Sequence, residues 1–287
     1  RDLVGCMTQE MPEILREQII ERSGGNPFFA LELIRGLSER TLTDTTTPND
    51  LPDTVHAAVL ARLDLLTARE RSVLQVASIA NRTFRTEMVQ AVLDEYTPQE
   101  IDIALDGLLA RDLIVSNEVD VFALRHILIR DVTSGTLSRT ERIRLHGKIA
   151  AWLELVTQKH MDEYAELIAY HYHQAVILSR QSAIPLDLPI EPTRAIRFLR
   201  RAGELASRAG AFVEARNQIQ SAIDIAPTSQ YLQLYEQLGD SVSWSTTSVD
   251  AYCKALELWR STGMTDPFTG ARLLRKLLIC YTRGAIE

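Results

Sequence analysis

Residues 194–227, "RAIRFLRRAGELASRAGAFVEARNQIQSAIDIAP", decide the fold because they predict two helices joined by a tight turn. Gly210 can turn the chain, and Pro227 ends the second helix. Small side chains allow the two helices to approach closely, and they recur at Gly203, Ala206, Ala215 and Ala222. The stretch therefore predicts an antiparallel helical pair.

The order of its residues resembles the tetratricopeptide repeat: Gly210, Phe212, Ala215, Ile219, Ala222 and Pro227. A second unit pairs "YLQLYEQLGD" (231–240) with "DAYCKALELW" (250–259), where Tyr252 and Ala255 stand at the positions of Ile219 and Ala222. Its turn, "SVSWSTTSV", departs from the pattern. A further helix starts near residue 267, and residues 139–156 and 161–178 predict an irregular pair upstream. Because such units bury their faces only by stacking, the resemblance implies a short α-solenoid.

The composition of the whole chain is that of a mainly α protein with full-sized cores. Of its 287 residues 46% are hydrophobic and 24% are charged, which excludes a disordered or fibrous chain. The net charge of −7 argues against binding nucleic acid over the whole surface. Three scattered cysteines, no apolar run of membrane-spanning length and no signal peptide predict a cytoplasmic protein. The start at Arg1 and the end in "YTRGAIE" suggest a fragment of a longer chain.

Residues 1–47 predict two helices, 10–22 and 27–40, around the corner "RSGGNPFFALELI" (22–34). Gly24 suits the end of the first helix, Asn26 can cap the second, and Pro27 fits its first turn. An apolar face is predicted from Phe28, Leu31, Ile34 and Leu37. A helix start held in this way can receive a phosphate or a carboxylate, although an ordinary helix–turn–helix corner would look the same.

A Thr/Asp/Pro linker, "TLTDTTTPNDLP" (41–52), predicts a domain boundary. Helices are expected after it at 54–66, 68–80, 85–96 and 97–114, followed by a β-hairpin at 113–124 and a helix at 126–137. This is the layout of a winged helix. The predicted domains are thus a helical lid at 1–47, a winged helix at 51–137 and helical repeats at 138–287.

Taken in order, several stretches resemble the bacterial signalling ATPases of the STAND class, which are related to AAA+ ATPases. They are "IIERSGGNPFFALELIRGL", "LPDTVHAAVLARLDLLTARERSVLQVASI", "LRHILIRDVTSGTLSRTERIRLHGKIAAWLE" and "AELIAYHYHQA". The resemblance implies a nucleotide-binding core before this chain, and within it a lid, a winged helix and a repeat sensor. The implied activity is that of a switch in which the repeats sense a partner.

The same resemblance implies two nucleotide contacts. Gly25, Asn26 and Pro27 match a Gly-x-Pro motif that packs against the adenine. His126, in "LRHILIRDV", stands where a winged-helix histidine reaches the β-phosphate of ADP. Its surroundings match the usual Met-His-Asp motif only loosely, since Asp131 comes five positions later, and a core or capping histidine is an equal alternative.

Catalytic parts are missing from the sequence. No G-x-x-x-x-G-K-[ST] loop occurs, and "LHGKI" has neither the upstream glycine nor the following Ser or Thr. No apolar strand ends in paired acids that could hold magnesium. The chain is therefore expected not to be an enzyme and to carry no cofactor itself, whereas ATP or ADP is expected in the full-length protein.

Three further features have competing interpretations. "YHYHQA" brings His171 and His173 together near His160, but their i, i+2 spacing favours packing over zinc binding. The helix at 98–111 would enter a DNA groove, yet its acids Glu100, Asp102 and Asp106 repel phosphate, so DNA binding is unlikely. Arg197, Arg200, Glu204 and Arg208 share one helix face. By the repeat resemblance they line a groove for an acidic peptide, or they form a solvated face with Arg200–Glu204–Arg208 pairs.

The sequence thus predicts a non-catalytic regulatory fragment of a STAND ATPase. Its expected partners are the missing P-loop core and a protein or peptide in the repeat groove. Two alternatives remain, a winged-helix transcription regulator with a repeat effector domain and a plain repeat scaffold.

Overall fold

The computed structural model describes residues 12–40, 52–80, 83–181, 191–242, 246–261, 263–264 and 266–282. The predicted linker at 41–52, apart from Pro52, and Cys6 lie outside these ranges. Contacts divide the chain into two compact units, residues 1–138 and residues 139–287. The described residues hold fourteen α-helices and one three-stranded sheet, which confirms the mainly α fold class.

The first unit contains seven helices and the sheet. The helices are α1 (Glu13–Ser23), α2 (Pro27–Arg40), α3 (Val55–Asp64), α4 (Ala68–Ile79), α5 (Thr86–Val92), α6 (Pro98–Ala110) and α7 (Ile127–Thr136). The strands are β1 (Thr83–Arg85), β2 (Ile114–Glu118) and β3 (Val121–Leu124).

Local capping chemistry sets several helix starts in this unit. Thr67 before α4 and Thr97 before α6 each form a capping box, with Glu70 and Glu100 as the reciprocal partners. Pro98 occupies the first turn of α6, where an amide donor is not required. These side chains satisfy backbone N–H groups at the helix starts with partners only three residues away.

The sheet is larger than the sequence predicted. The expected hairpin is present as β2 and β3, but β1 joins it on the other side of β3, in the antiparallel order β1-β3-β2. The prediction of one helix over 85–96 is wrong, because α5 covers only Thr86–Val92. Phe84 is buried in β1 opposite Phe122 of β3, and their ring centroids lie 5.8 Å apart, which explains the third strand.

The core around α2 also differs from the predicted face. Ile34 and Leu37 are buried as expected, but Phe28 and Leu31 are only half-buried. Phe29 and Leu33 take their places. The buried face of α2 is therefore rotated about the helix axis relative to the predicted face. Phe28 lies at the edge of the buried face.

The second unit contains seven helices and no described strand. They are α8 (Arg139–Val156), α9 (Met161–Arg180), α10 (Pro192–Arg208), α11 (Phe212–Ile225), α12 (Tyr231–Ser241), α13 (Thr246–Ser261) and α14 (Pro267–Thr282). Each packs chiefly on its neighbours in sequence, as in a solenoid.

The predicted repeat is confirmed in α10 and α11. Gly210 turns the chain with φ of +80°, and Ala215, Ile219 and Ala222 are fully buried. A Cβ on Gly203 would lie only 2.6 Å from Cδ1 of Ile219, so the helices are as close as the small residues implied. In the next pair Tyr252 and Ala255 are buried at the corresponding positions.

The close packing of the second helical pair, α12 and α13, depends on Gly239, which lies against the ring of Tyr252. A Cβ on Gly239 in α12 would lie 2.6 Å from Cζ of Tyr252, whose hydroxyl donates to Asp240 Oδ1 at 2.7 Å. This bond and burial hold the ring in place. Burial and the bond to Asp240 also raise the pKa of Tyr252.

We expect Gly239→Ala to lower the free energy of unfolding of the second unit by about 1–2 kcal/mol. Displacing the ring costs about 1–3 kcal/mol, and the better helix propensity of alanine offsets part of it. Trp152, Trp244 and Trp259 all belong to this unit, so their fluorescence during urea unfolding reports its stability. The matched control is Gly147→Ala in α8, where a Cβ meets no atom within 4 Å. A control that is destabilised as much would contradict this account.

No helix within the described ranges combines the length and the apolar character that crossing a membrane requires.

Candidate functional site

The corner before α2 has the local geometry that the sequence predicted. Gly24 ends α1 in the left-handed region with φ of +55°, and Gly25 follows with φ of +83°. Asn26 Oδ1 accepts hydrogen bonds from the backbone N–H groups of Phe28 (3.1 Å) and Phe29 (3.3 Å). The predicted cap is therefore confirmed. Residues 24–27 are all exposed, so the ring of Pro27 lies on the surface.

His126 caps the start of α7. Its Nδ1 accepts a hydrogen bond from the backbone N–H of Leu128 at 3.1 Å. A nitrogen that accepts carries no proton, so the neutral ring holds its proton on Nε2. Nε2 makes no hydrogen bond to the residues that the structure describes. The imidazole thus serves as a cap while keeping one donor for another group.

The structure brings the corner and His126 together. The ring of Phe28, in the first turn of α2, stacks on the His126 imidazole with centroids 3.8 Å apart and an angle of 18° between the planes. Two sequence motifs 100 positions apart therefore meet at one place. The N-termini of α2 and α7 meet there too, and helix N-termini carry partial positive charge.

A buried ion pair beneath the corner was not predicted from the sequence. Glu32 of α2 and Arg62 of α3 are both fully buried, with 2.6 Å between Glu32 Oε2 and Arg62 Nη1. Arg62 also donates to the backbone carbonyl of Arg111 at the end of α6. The signal for this pair was two charges in apolar surroundings, Glu32 in "FALELI" and Arg62 in "VLARLDLL".

A second ionic connection reaches the residue before His126. Asp112 pairs with Arg35 of α2 through one carboxylate oxygen and with Arg125 through the other. Asp112 has φ of +59°, an uncommon value for a residue other than glycine. Arg35 also donates to Glu32 at 3.2 Å, which joins this connection to the buried pair. Polar contacts thus run from α2 to both the end of α6 and the start of α7.

The helix that would enter DNA has an acidic exposed face. Asp102 and Asp106 of α6 are exposed, and Glu100 is used by the capping box and by Arg69, 2.6 Å away. Hydrogen bonds from Thr97 lower the pKa of Glu100, with a smaller effect of Arg69. Arg111 Nε lies 3.4 Å from Glu70. Its cation is directed at a protein carboxylate, so this face is poorly suited to phosphate.

The four residues predicted for the repeat groove lie along α10. A groove of about 610 Å³ is bordered there by the ends of neighbouring helices and includes Arg197, Arg200, Arg201 and Glu204. Arg200 donates from Nε to the side-chain oxygen of Gln237 at 2.7 Å, a neutral partner. Arg208 is exposed beyond this stretch.

The other groove residues form ion pairs that neither the acidic-peptide interpretation nor the solvated-face interpretation predicted. Arg197 contacts Glu154 and lies over the ring of Phe198, 4.6 Å from its centroid. Glu204 accepts from Arg201 at 3.2 Å and from Gln237 at 3.1 Å, so the expected Arg200–Glu204–Arg208 pairs are not the ones formed.

Arg201, which the sequence analysis missed, binds both oxygens of Asp162 at 2.7 and 2.6 Å. Hydrogen bonds from Arg201 lower the pKa of Asp162, with a small contribution from Arg208.

The histidines of "YHYHQA" lie on different sides of α9. His171 is buried and its Nδ1 lies 3.0 Å from Nδ1 of His146 in α8, whereas His173 is half-buried and His160 is exposed near Glu163. Over the described ranges, no group of three or more His, Cys, Asp or Glu side chains is placed to hold a metal ion. His146 was not among the predicted residues, because only the helical hairpin brings it to His171.

Comparison with known proteins finds similarity in structure but none in sequence. No family model matches the sequence, and no curated protein matches it. A solved structure similar to this chain is that of a signal transduction ATPase with numerous domains (STAND) with a tetratricopeptide repeat sensor from Pyrococcus horikoshii. The identity is 10% and the TM-score 0.40, over 98% of this chain and 50% of that chain. This chain therefore spans about half the length of that protein.

Proposed function

We propose that this chain is a non-catalytic regulatory part of a STAND-class signalling ATPase. The corner at residues 25–27 and His126 contact a nucleotide whose phosphates are held by a P-loop core that is not in this chain. The helices of the second unit bind a protein partner. The proposal starts from the sequence resemblance, and it assigns ATP hydrolysis to the missing core.

The observation that carries the proposal is the contact between the two candidate nucleotide motifs. They were selected from separate stretches of sequence, and the Phe28–His126 stack places them side by side. A nucleotide needs an apolar surface for its base and donors for its phosphates. The exposed Pro27 ring offers the first, and His126 Nε2–H offers the second.

The groove along α10 supports the second part of the proposal. Arg200 has a neutral amide as its hydrogen-bond partner, so its charge is available to a carboxylate of a ligand. We therefore propose that the groove binds a peptide carboxylate, in line with the acidic peptide that the repeat resemblance implies.

The transcription-regulator alternative is less well supported. Its recognition helix would be α6, whose exposed residues include Asp102 and Asp106. Carboxylates at this position repel DNA phosphates. The plain repeat scaffold remains the main alternative to a regulatory part of a STAND ATPase. A measurement of nucleotide binding distinguishes these two functions.

We expect Pro27→Ala and His126→Asn each to weaken ADP binding about tenfold in the longer protein that carries the proposed core. The first removes the apolar ring, and the second removes the Nε2–H donor while asparagine keeps a helix cap. Isothermal titration calorimetry with ADP gives the affinities. Pro192→Ala, at the start of α10, is the matched control and should leave the affinity unchanged. If both site variants bind ADP like the parent protein, the scaffold interpretation is preferred.

A further inference from the structure

We propose that the first unit binds a basic segment of a partner protein in a groove between the start of α4 and α6. The segment presents one apolar side chain with Lys or Arg residues on both sides. This site uses none of the residues of the corner before α2 or of the groove along α10, and it does not require a bound nucleotide.

The groove lies beside an exposed isoleucine of α6. The buried face of that helix consists of Ile101, Ala104, Leu105 and Leu108, whereas Ile103 is 71% exposed. The groove has a volume of about 470 Å³, and Ile103 forms part of its wall. One exposed isoleucine is ordinary on a protein surface, but a groove beside it gives an apolar ligand side chain contacts on several sides.

The charged side chains that line the groove already have partners within the unit. Glu70 and Glu100 accept hydrogen bonds in the capping boxes of Thr67 and Thr97. Arg69 Nη2 lies 2.6 Å from Glu100 Oε1. The remaining walls are small or aromatic, and they include Ala68, Tyr96 and Ala104. The group that fills the groove is therefore expected to be apolar.

The carboxylates around Ile103 are unpaired. Asp102 and Asp106 are exposed on α6, and Glu95 is exposed next to Tyr96. None of these three acids forms an ion pair with the residues that the structure describes. Asp102 and Asp106 stand four positions apart, so they lie on one face of the helix and repel each other. A cationic partner would replace this repulsion with attraction.

The β-hairpin that follows α6 carries the same combination of residues. Val119 at its turn is 87% exposed and stands between Glu118 and Asp120, which are exposed as well. In the predicted winged helix, α6 and this hairpin are the elements that would approach DNA. Both present acids and an apolar side chain where a DNA-binding protein presents Lys and Arg.

The charge of this surface decides which occupant it fits. DNA, RNA and an anionic membrane surface are repelled by unpaired carboxylates. A two-fold contact between the α6 helices of two copies would bring the same carboxylates face to face. A protein segment with cations on both sides of an apolar anchor fits both the groove and the charges.

The first experiment measures binding of a short fluorescein-labelled peptide with one central leucine and two lysines on each side. Fluorescence anisotropy at low ionic strength gives its affinity for the 287-residue chain. Replacing the leucine of the peptide with serine should weaken binding about tenfold, because the apolar anchor is lost. Replacing its lysines with glutamates should abolish binding.

The second experiment changes the groove and keeps the leucine peptide. Ile103→Ser should weaken binding about fivefold to tenfold, and Ile103→Leu should bind like the parent chain. Since Ile103 is exposed, Ile103→Ser should unfold in urea at the same concentration as the parent chain, which excludes a loss of fold.

A charge-matched pair of variants tests the acids. Asp102→Asn/Asp106→Asn should weaken binding about fivefold at low ionic strength and much less at high ionic strength. Asp250→Asn/Glu257→Gln removes two exposed charges from α13 and is the control, so it should bind like the parent chain.

Three results would overturn the proposal. The first is parent-like peptide binding by Ile103→Ser and by the α6 charge variant, and the second is an equal loss in the α13 control, which would show attraction to the net charge alone. The third is a parent chain that is dimeric in sedimentation while Ile103→Ser is monomeric, which would make a second copy the occupant. None of these variants changes residues 25–27 or His126, so each of these failures leaves the proposed nucleotide role untouched.

Discussion

Replacing Arg62 with methionine is expected to lower the free energy of unfolding of the first unit by about 3–5 kcal/mol. The substitution leaves the buried Glu32 carboxylate with only the half-buried Arg35 as an ionic partner, which costs more than the lost attraction of an exposed pair. All three tryptophans lie in the second unit, so urea unfolding followed by tryptophan fluorescence and by circular dichroism separates the two units. The helical signal of the first unit should be lost at lower urea while the fluorescence midpoint stays in place.

A matched pair of variants tests whether burial is the cause. Asp53→Asn breaks the exposed ion pair between Arg22 and Asp53, and it should cost less than about 1 kcal/mol. The double variant Glu32→Leu/Arg62→Met removes both charges and should recover much of the lost stability. A double variant that is less stable than Arg62→Met alone would show that the charges themselves contribute to the fold.

The elements that could be predicted from the sequence are those set by local chemistry. Asn26 and Pro27 begin a helix, Gly210 reverses the chain and the Thr67 and Thr97 boxes begin two more helices, all through groups a few residues apart. Such contacts join residues a few positions apart, so the sequence alone indicates them. The repeat was predictable for the same reason, since its small residues recur at fixed spacing.

What the sequence did not reveal depends on distant partners. Strand β1 has three residues, too few for a periodic pattern, and it exists because Phe84 faces Phe122. Glu32 and Arg62 stand 30 positions apart, and either charge alone could have been an exposed side chain. Arg201 was overlooked because its partner, Asp162, is on another helix.

The candidate nucleotide site contains residues that could be predicted from the sequence and one that could not. The corner and His126 could be selected because their residues match motifs of the resembling ATPases. Phe28 could not, since its apolar spacing assigned it to the core face of α2. Only the folded chain shows that its ring stacks on His126. Contacts between side chains from distant stretches are thus harder to predict than the motifs themselves.

The second unit is expected to lose stability as the pH falls from 7 to 5, by an amount on the order of 3 kcal/mol. The cause is the buried pair of His146 and His171, whose Nδ1 atoms lie 3.0 Å apart. Burial lowers the pKa of His146 to about 4, with a smaller effect of Arg142, and burial lowers the pKa of His171 to about 3, with a smaller effect of His146. Both rings are therefore neutral in the folded chain at pH 5.

In the unfolded chain the same two histidines take up protons below pH 6.5, their ordinary pKa. The unfolded state then binds more protons than the folded state, so stability falls as the pH falls. The contribution is fully present above about pH 7. It is lost progressively from pH 6.5 down to the folded values of about 4 and 3. Carboxylates with lowered pKa values, such as Asp162 and Glu236, contribute little to the change between pH 7 and pH 5, because their ordinary pKa values of 3.8 and 4.5 lie below this range.

Urea midpoints followed by tryptophan fluorescence at pH 7 and pH 5 measure the effect. The double variant His146→Leu/His171→Met removes both titrating rings and should show a much smaller change between the two pH values. Some dependence should remain, because burial also lowers the pKa of His173. His160→Gln alters an exposed histidine, so its pH dependence should equal that of the parent chain. If the parent midpoint is the same at both pH values, the rings of His146 and His171 are accessible to protons in the folded chain, and the close-packed contact between α8 and α9 is wrong.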